Sequence, residues 1–176
     1  MDRCIASANA GLAVVQKGIE RYLQLGIPAS KLVLGLPWYG YRYPCLNGTA
    51  PDAEFCPIAA VPFAGVNCSD AAGSEVEYGD IMALLDAGRN STAVRWDEST
   101  SSPYFNAVGA DDGVVYQYWF DSPRSIALKV QYARRVGLRG VGPFAFDQVD
   151  PTGVDTKNPL APAETRAMWN ALREFL

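Results

Sequence analysis

Hydrophobic spacing alternates along this chain between a helical and a strand-like period. Leu12, Val15, Ile19, Tyr22 and Leu23 recur every three to four positions and predict a helix over residues 10–25, stopped by Gly26 and Pro28. The continuous apolar run from Lys31 to Pro37 then predicts a short strand buried on both faces, as in a parallel sheet. Periodicity is lost between Trp38 and Gly73, where Gly, Pro, Asn and Cys dominate, and a long loop is expected. A short helix over 79–87 ends at Gly88. Three strands follow over 92–97, 104–108 and 114–120, with Asp111-Asp112-Gly113 as the turn between the last two; they predict an antiparallel patch. Residues 122–136 predict a strong helix, with Ser122 as cap, Pro123 in its first turn and Ile126, Val130 and Ala133 inward. Residues 138–146 predict a second buried strand loosened by glycines. A last amphipathic helix over 162–175 turns Met168, Leu172 and Phe175 inward.

Helix, buried strand, long excursion, helix, buried strand, helix is an α/β order. Two parallel strands do not close a sheet, because both edges and both faces still need cover. The pattern suits the tail of a larger β/α barrel. Composition narrows the chemistry. With 49% hydrophobic residues the chain can build a core, which excludes wholesale disorder. No run approaches about 18 apolar residues, so no membrane partner is expected. A net charge of −4 leaves no basic surplus for nucleic acid. The chain has no histidine, which excludes Ser-His and Cys-His catalysis and argues against zinc. Neither metal nor cofactor is expected, and acid–base work would fall to carboxylates, Tyr or Lys. Four cysteines, Cys4, Cys45, Cys56 and Cys68, are disulfide candidates with three possible pairings. Asn47, Asn67 and Asn90 each begin an N-x-S/T sequon. Cysteines and sequons together point to the secretory pathway, lysosomal or extracellular, although the N-terminus does not read as a signal peptide.

Three motifs carry a resemblance to a known family. They are Lys31-Leu32-Val33-Leu34-Gly35-Leu36-Pro37-Trp38-Tyr39-Gly40-Tyr41; Trp96-Asp97-Glu98 with Pro103-Tyr104-Phe105 and Trp119-Phe120-Asp121-Ser122-Pro123-Arg124; and Leu138-Arg139-Gly140-Val141-Gly142-Pro143-Phe144. In this order the chain resembles glycoside hydrolase family 18, and within it the di-N-acetylchitobiase branch. The resemblance implies that residues 1–176 form the last two β/α units of a (β/α)8 TIM barrel, with strands one to six upstream of Met1. Residues 42–120 would form a cysteine-containing loop and a small antiparallel insertion. It further implies substrate-assisted retaining hydrolysis of N-acetylglucosamine linkages, in the chitobiose core of chitin or N-glycans. The acid of that mechanism ends a D-x-x-D-x-D-x-E motif, which does not occur in these 176 residues, so no catalytic residue is expected in this chain. Substrate contacts are expected from Tyr39, Tyr41, Trp96, Asp97 and Phe144; Phe144 stands where the family carries a tryptophan floor. Trp38 is expected to pack, Arg124 and Lys129 to be solvated, and Trp169 to lie in the core. Cys4 would follow the sixth strand, within reach of the loop after the seventh. The expected partners are an N-acetylglucosamine-containing oligosaccharide and the N-terminal half of the barrel. The alternative function is a non-catalytic, lectin-like carbohydrate binder.

Overall fold

A computed structural model describes residues 4–88, 91–149 and 160–176. The elements run α1 (Leu12–Gln24), β1 (Val33–Pro37), β2 (Tyr39–Pro44), β3 (Ser74–Glu77), α2 (Tyr78–Ala87), β4 (Arg95–Asp97), β5 (Ser102–Val108), β6 (Val115–Trp119), α3 (Pro123–Arg135), β7 (Gly140–Phe144) and α4 (Ala161–Arg173). They form two sheets. β1 and β7 pair in parallel, with Val33 opposite Gly140 and Pro37 opposite Phe144. The other five strands form an antiparallel sheet in the order β3-β2-β6-β5-β4.

The parallel pair is an αβ construction. Leu34 and Leu36 enter the core with Ile126, Val130 and Ala133 of α3, and α3 packs against α1 and α4. Helix α3 starts where the sequence places it: the Ser122 hydroxyl accepts from the Ser125 amide while the Ser125 hydroxyl accepts from the Ser122 amide, satisfying two otherwise orphaned donors. Helix α2 ends at Gly88, whose φ of 61° is the left-handed conformation that glycine adopts without a Cβ penalty.

Three expectations are corrected. The run 31–37 is not buried on both faces. Val33 and Gly35 are exposed while Leu34 and Leu36 are buried, so the strand has one covered and one open face. The segment after Trp38 is not loop from the outset, because Tyr39–Pro44 is a strand between β3 and β6. The antiparallel part therefore has five strands rather than three. Gly40 explains the tight fit of β2: a Cβ there would overlap the Trp119 carbonyl oxygen and press on Ile81 and Phe120. Finally, Lys129 is not solvated. It is fully buried and lies 2.6 Å from each oxygen of the Asp121 carboxylate, itself buried. Desolvated charges need such a partner.

The antiparallel sheet separates two cores. One face carries Phe105, Ala107 and Tyr118, packed with Ile81 of α2 and the helices behind β1. The other carries Tyr43, Tyr104 and Trp119, covered by Cys4, Ala6, Cys45, Cys56 and Ile58. Two disulfides, Cys4–Cys68 and Cys45–Cys56, hold that cover. A buried amide network fastens it from below. Gln117 Nε2 donates to the Glu54 carbonyl and to Asn106 Oδ1, and Asn106 Nδ2 donates to the carbonyls of Pro51 and Ala53. Gln117 Oε1 in turn accepts from the Trp119 indole at 2.9 Å.

Candidate functional site

β1 and β7 end side by side, and the ladder runs one residue further: the Trp38 amide donates to the Phe144 carbonyl at 2.9 Å. The chain leaves the parallel pair at Trp38 and enters the antiparallel sheet at Tyr39 without a loop. Trp38 packs as expected, fully buried with its ring edge-on to Trp169 at 4.9 Å. Trp169 is not core, however; it remains 42% exposed.

Side chains alternate along β2, so Tyr39, Tyr41 and Tyr43 share one face. They continue a row of rings that begins at Phe144. Centroids are 6.4 Å apart from Phe144 to Tyr39, 6.3 Å from Tyr39 to Tyr41 and 6.0 Å from Tyr41 to Tyr43. Phe144 is 66% exposed, Tyr39 and Tyr41 are partly exposed, and Tyr43 is buried. The row thus opens at the carboxyl ends of the parallel strands and closes under the disulfide-held loop. Apolar ring faces of this kind stack on sugar rings, and the hydroxyls add polar handles.

Electrostatics keep those hydroxyls protonated. Burial, then the Asp70 carboxylate, then Tyr41 push Tyr43 up to about 12. Burial raises Tyr41 as well, reinforced by Asp70, Glu75 and Tyr39. Both are hydrogen-bond donors at neutral pH. The segment after Phe144 is strapped across the row: Gln148 Oε1 accepts from the Ala145 amide at 2.7 Å, and Gln148 Nε2 donates to Glu75 Oε1 at 2.9 Å. Sequence reasoning missed Asp70, Glu75 and Gln148. The period-2 recurrence of Tyr39, Tyr41 and Tyr43 was the available signal for the strand that aligns them.

Trp96 and Asp97 lie elsewhere. They sit on β4, three strand spacings or about 14 Å from β2 across the sheet. Trp96 pairs with Pro103 and carries the Arg124 guanidinium over its ring at 3.8 Å, so Arg124 is a cation–π partner of Trp96. The Asp97 carboxylate closes a turn, accepting from the Ser99 hydroxyl and from the amide and hydroxyl of Thr100. Burial works to raise its pKa, but these hydrogen bonds outweigh it and hold the carboxyl below its usual range. The structure therefore brings together Tyr39, Tyr41 and Phe144, and places Trp96 and Asp97 apart from them. Of the sequon residues, Asn47 and Asn67 are exposed on the disulfide-held loop, and Asn90 lies outside the described residues. No group of side chains suited to a metal ion occurs among the described residues.

Comparison with known proteins matches residues 3–148 to the family model described as glycosyl hydrolases family 18. The chain is 45% identical over 176 residues to probable di-N-acetylchitobiase 2 of Dictyostelium discoideum, covering 98% of this chain and 44% of that protein. It is 41% identical over 173 residues to the di-N-acetylchitobiase of Rattus norvegicus, covering 98% and 45%. The chain thus spans less than half the length of these curated relatives. Among solved structures, a chitinase from Rhizomucor miehei superposes with a TM-score of 0.67 at 23% identity, covering 98% of this chain and 49% of that one. A plant class V chitinase mutant from Cycas revoluta, in complex with (GlcNAc)3, gives 0.62 at 25% identity, covering 96% and 42%. A chitinase-like agglutinin from Robinia pseudoacacia gives 0.58 at 25% identity, covering 94% and 42%.

Proposed function

The chain belongs to the glycosyl hydrolases family 18, and from that premise we propose that it forms the C-terminal part of a β/α barrel that hydrolyses N-acetylglucosamine linkages. The observation that carries the reading is the row Phe144–Tyr39–Tyr41 at the carboxyl ends of two parallel strands. In β/α barrels that end bears the active site. In this reading residues 1–176 contribute one wall of the sugar cleft, with residues 42–120 as its cover. Chain outside these residues supplies the remaining strands and the general acid of substrate-assisted retention.

The division of labour follows from the side chains. Phe144 gives an apolar floor without an indole donor, while Tyr39 and Tyr41 give ring faces with hydroxyl donors. Gln148 orients the segment after Phe144, so it is a positioning residue. Trp96 and Asp97 hold the far edge of the sheet; any contact they make with substrate is to its distal end. The substrate class is the chitobiose core of chitin or of N-glycans, in keeping with the printed names of the relatives. Two disulfides and the exposed sequon residues Asn47 and Asn67 favour the secretory pathway, lysosomal or extracellular.

A second reading, a non-catalytic carbohydrate binder, is favoured by the likeness to the Robinia agglutinin and by the lack of D-x-x-D-x-D-x-E within these 176 residues. One assay separates them. The 176-residue chain is expected to turn over no chitobiosyl analogue, whereas the protein expressed from its complete coding sequence is expected to do so. Turnover by the 176 residues alone contradicts the assignment of the acid to chain outside them. Binding without turnover by the complete protein supports the lectin reading.

A further inference from the structure

The aromatic row does not end against solvent. Beyond Tyr41 it meets a cavity of about 190 Å³ between the N-terminal segment and the disulfide-held loop, lined by Ile5, Ala8, Asn9, Tyr43, Ile58 and Asp70 among others. Two polar groups there are unsatisfied. Asn9 Nδ2 is buried without a hydrogen-bond partner. The Asp70 side chain is exposed, sits close enough to Tyr41 and Tyr43 to perturb both, and is held by no hydrogen bond or ion pair among the described residues. An orphaned donor, a free acceptor and an apolar wall in one small cavity make a specific chemical demand. A buried donor left unpaired costs about 1–3 kcal/mol, so a ligand that satisfies it gains correspondingly.

We propose that this cavity is a further subsite of the sugar cleft, taking the acetamido arm of an N-acetylhexosamine whose ring lies over Tyr41. The acetamido group offers one carbonyl, one N–H and one methyl. The carbonyl accepts from Asn9 Nδ2, the N–H donates to the Asp70 carboxylate, and the methyl rests against Ile5, Ala8 and Ile58. The volume is below the roughly 300–1,000 Å³ of sites that enclose a drug-sized ligand, which suits one arm rather than a whole oligomer. The Cys4–Cys68 bridge ties the segment carrying Asn9 to the loop carrying Asp70, so both sides of the cavity are held by one covalent link. A sugar with only a hydroxyl at that carbon leaves Asn9 unpaired and the apolar wall uncovered. The subsite therefore selects acetylated sugars at a position remote from Phe144.

This inference rests on the sugar-cleft reading above, and the test separates the two. The protein expressed from its complete coding sequence is titrated with (GlcNAc)4 and with cellotetraose, the same chain length without acetamido groups. The side-chain amide resonances of Asn9 and the ring resonances of Tyr39, Tyr41 and Phe144 are followed. The expected result is that (GlcNAc)4 moves all of them and cellotetraose leaves Asn9 unmoved. Asp70→Ala and Asn9→Ala are each expected to weaken (GlcNAc)4 by about tenfold, with melting curves confirming that both variants fold. If the rings respond while Asn9 does not, and both variants bind as the parent does, the subsite is overturned and the cleft stands. Equal movement of Asn9 by both tetramers overturns the acetamido selectivity. No response at any of these residues overturns the cleft and the subsite together.

Discussion

The five-stranded antiparallel sheet has both faces covered, one by helices and one by a loop held with two disulfides. The β1–β7 pair has helices on one face and nothing described on the other, where Val33 is 58% and Phe144 66% exposed. The surface area reflects this. The chain exposes 10112 Å², against about 8,400 Å² for a compact monomer of 19.0 kDa. The sheet is thus a finished unit built around the residues that close it, whereas the parallel pair presents a surface that further strands of a barrel would cover. The aromatic row crosses the boundary between the two, with Phe144 on the open side and Tyr43 on the closed side.

If the comparison is right, perturbations at the joint between the regions cost the most. Asp121 follows β6 and Lys129 lies on α3, so their buried pair links sheet to helix layer. Asp121→Ala strands the Lys129 charge and is expected to cost about 3–5 kcal/mol in denaturant unfolding. Replacing both members by apolar residues of similar volume should recover most of that loss, because the pair's own desolvation cost disappears with it. A small effect of the single substitution would mean that the two regions are not coupled through this pair.

A smaller effect comes from the closed end of the row. Tyr43 has an ordinary phenol pKa near 10.0 when unfolded and is pushed up to about 12 in the folded chain. The unfolded state therefore loses its proton first. The stabilisation is complete below pH 10, falls as pH rises and is gone above about 12, a change on the order of 2–3 kcal/mol. Tyr43→Phe is expected to flatten the stability profile between pH 10 and 12, measured by denaturant midpoints across that range. The same slope in the variant would show that Tyr43 is not the group responsible.

The smallest effect belongs to the open face. Val33→Thr, on the exposed side of β1, is expected to change stability by no more than about 0.5 kcal/mol. A cost of several kcal/mol in the 176-residue chain would show that this face is covered after all, and the contrast between the regions would fall.

Much of the fold was legible because it depends on local period. The helix starts at Ser122 and the stop at Gly88 follow from capping chemistry, and both were read correctly. The second strand was lost because Gly40 and the Pro and Cys residues that follow resemble loop composition, while its true signal, three tyrosines at alternate positions, is short. The open face of β1 could not be read at all, since a continuous apolar run has the same sequence whether one face or two are covered. Lys129 was misread for a related reason. Its partner Asp121 lies eight positions away, beyond the three- or four-residue spacing of a helix face, and only the turn into α3 brings the two together. At the site, Tyr39, Tyr41 and Phe144 were legible through their place after the strands. Asp70, Glu75 and Gln148 were not, because they reach the row only when β3, the covering loop and the segment after β7 fold onto β2.

The account turns on whether the row at the carboxyl ends of β1 and β7 is a sugar platform. The most direct measurement is the affinity of the complete protein for (GlcNAc)3 with Phe144 and with Phe144→Ala, by isothermal titration calorimetry. Phe144 is largely exposed, so its truncation should leave the fold intact, and loss of a stacking face of about 1–3 kcal/mol predicts binding weakened by roughly ten- to a hundredfold. Unchanged affinity for (GlcNAc)3 in the Phe144→Ala variant would contradict the account.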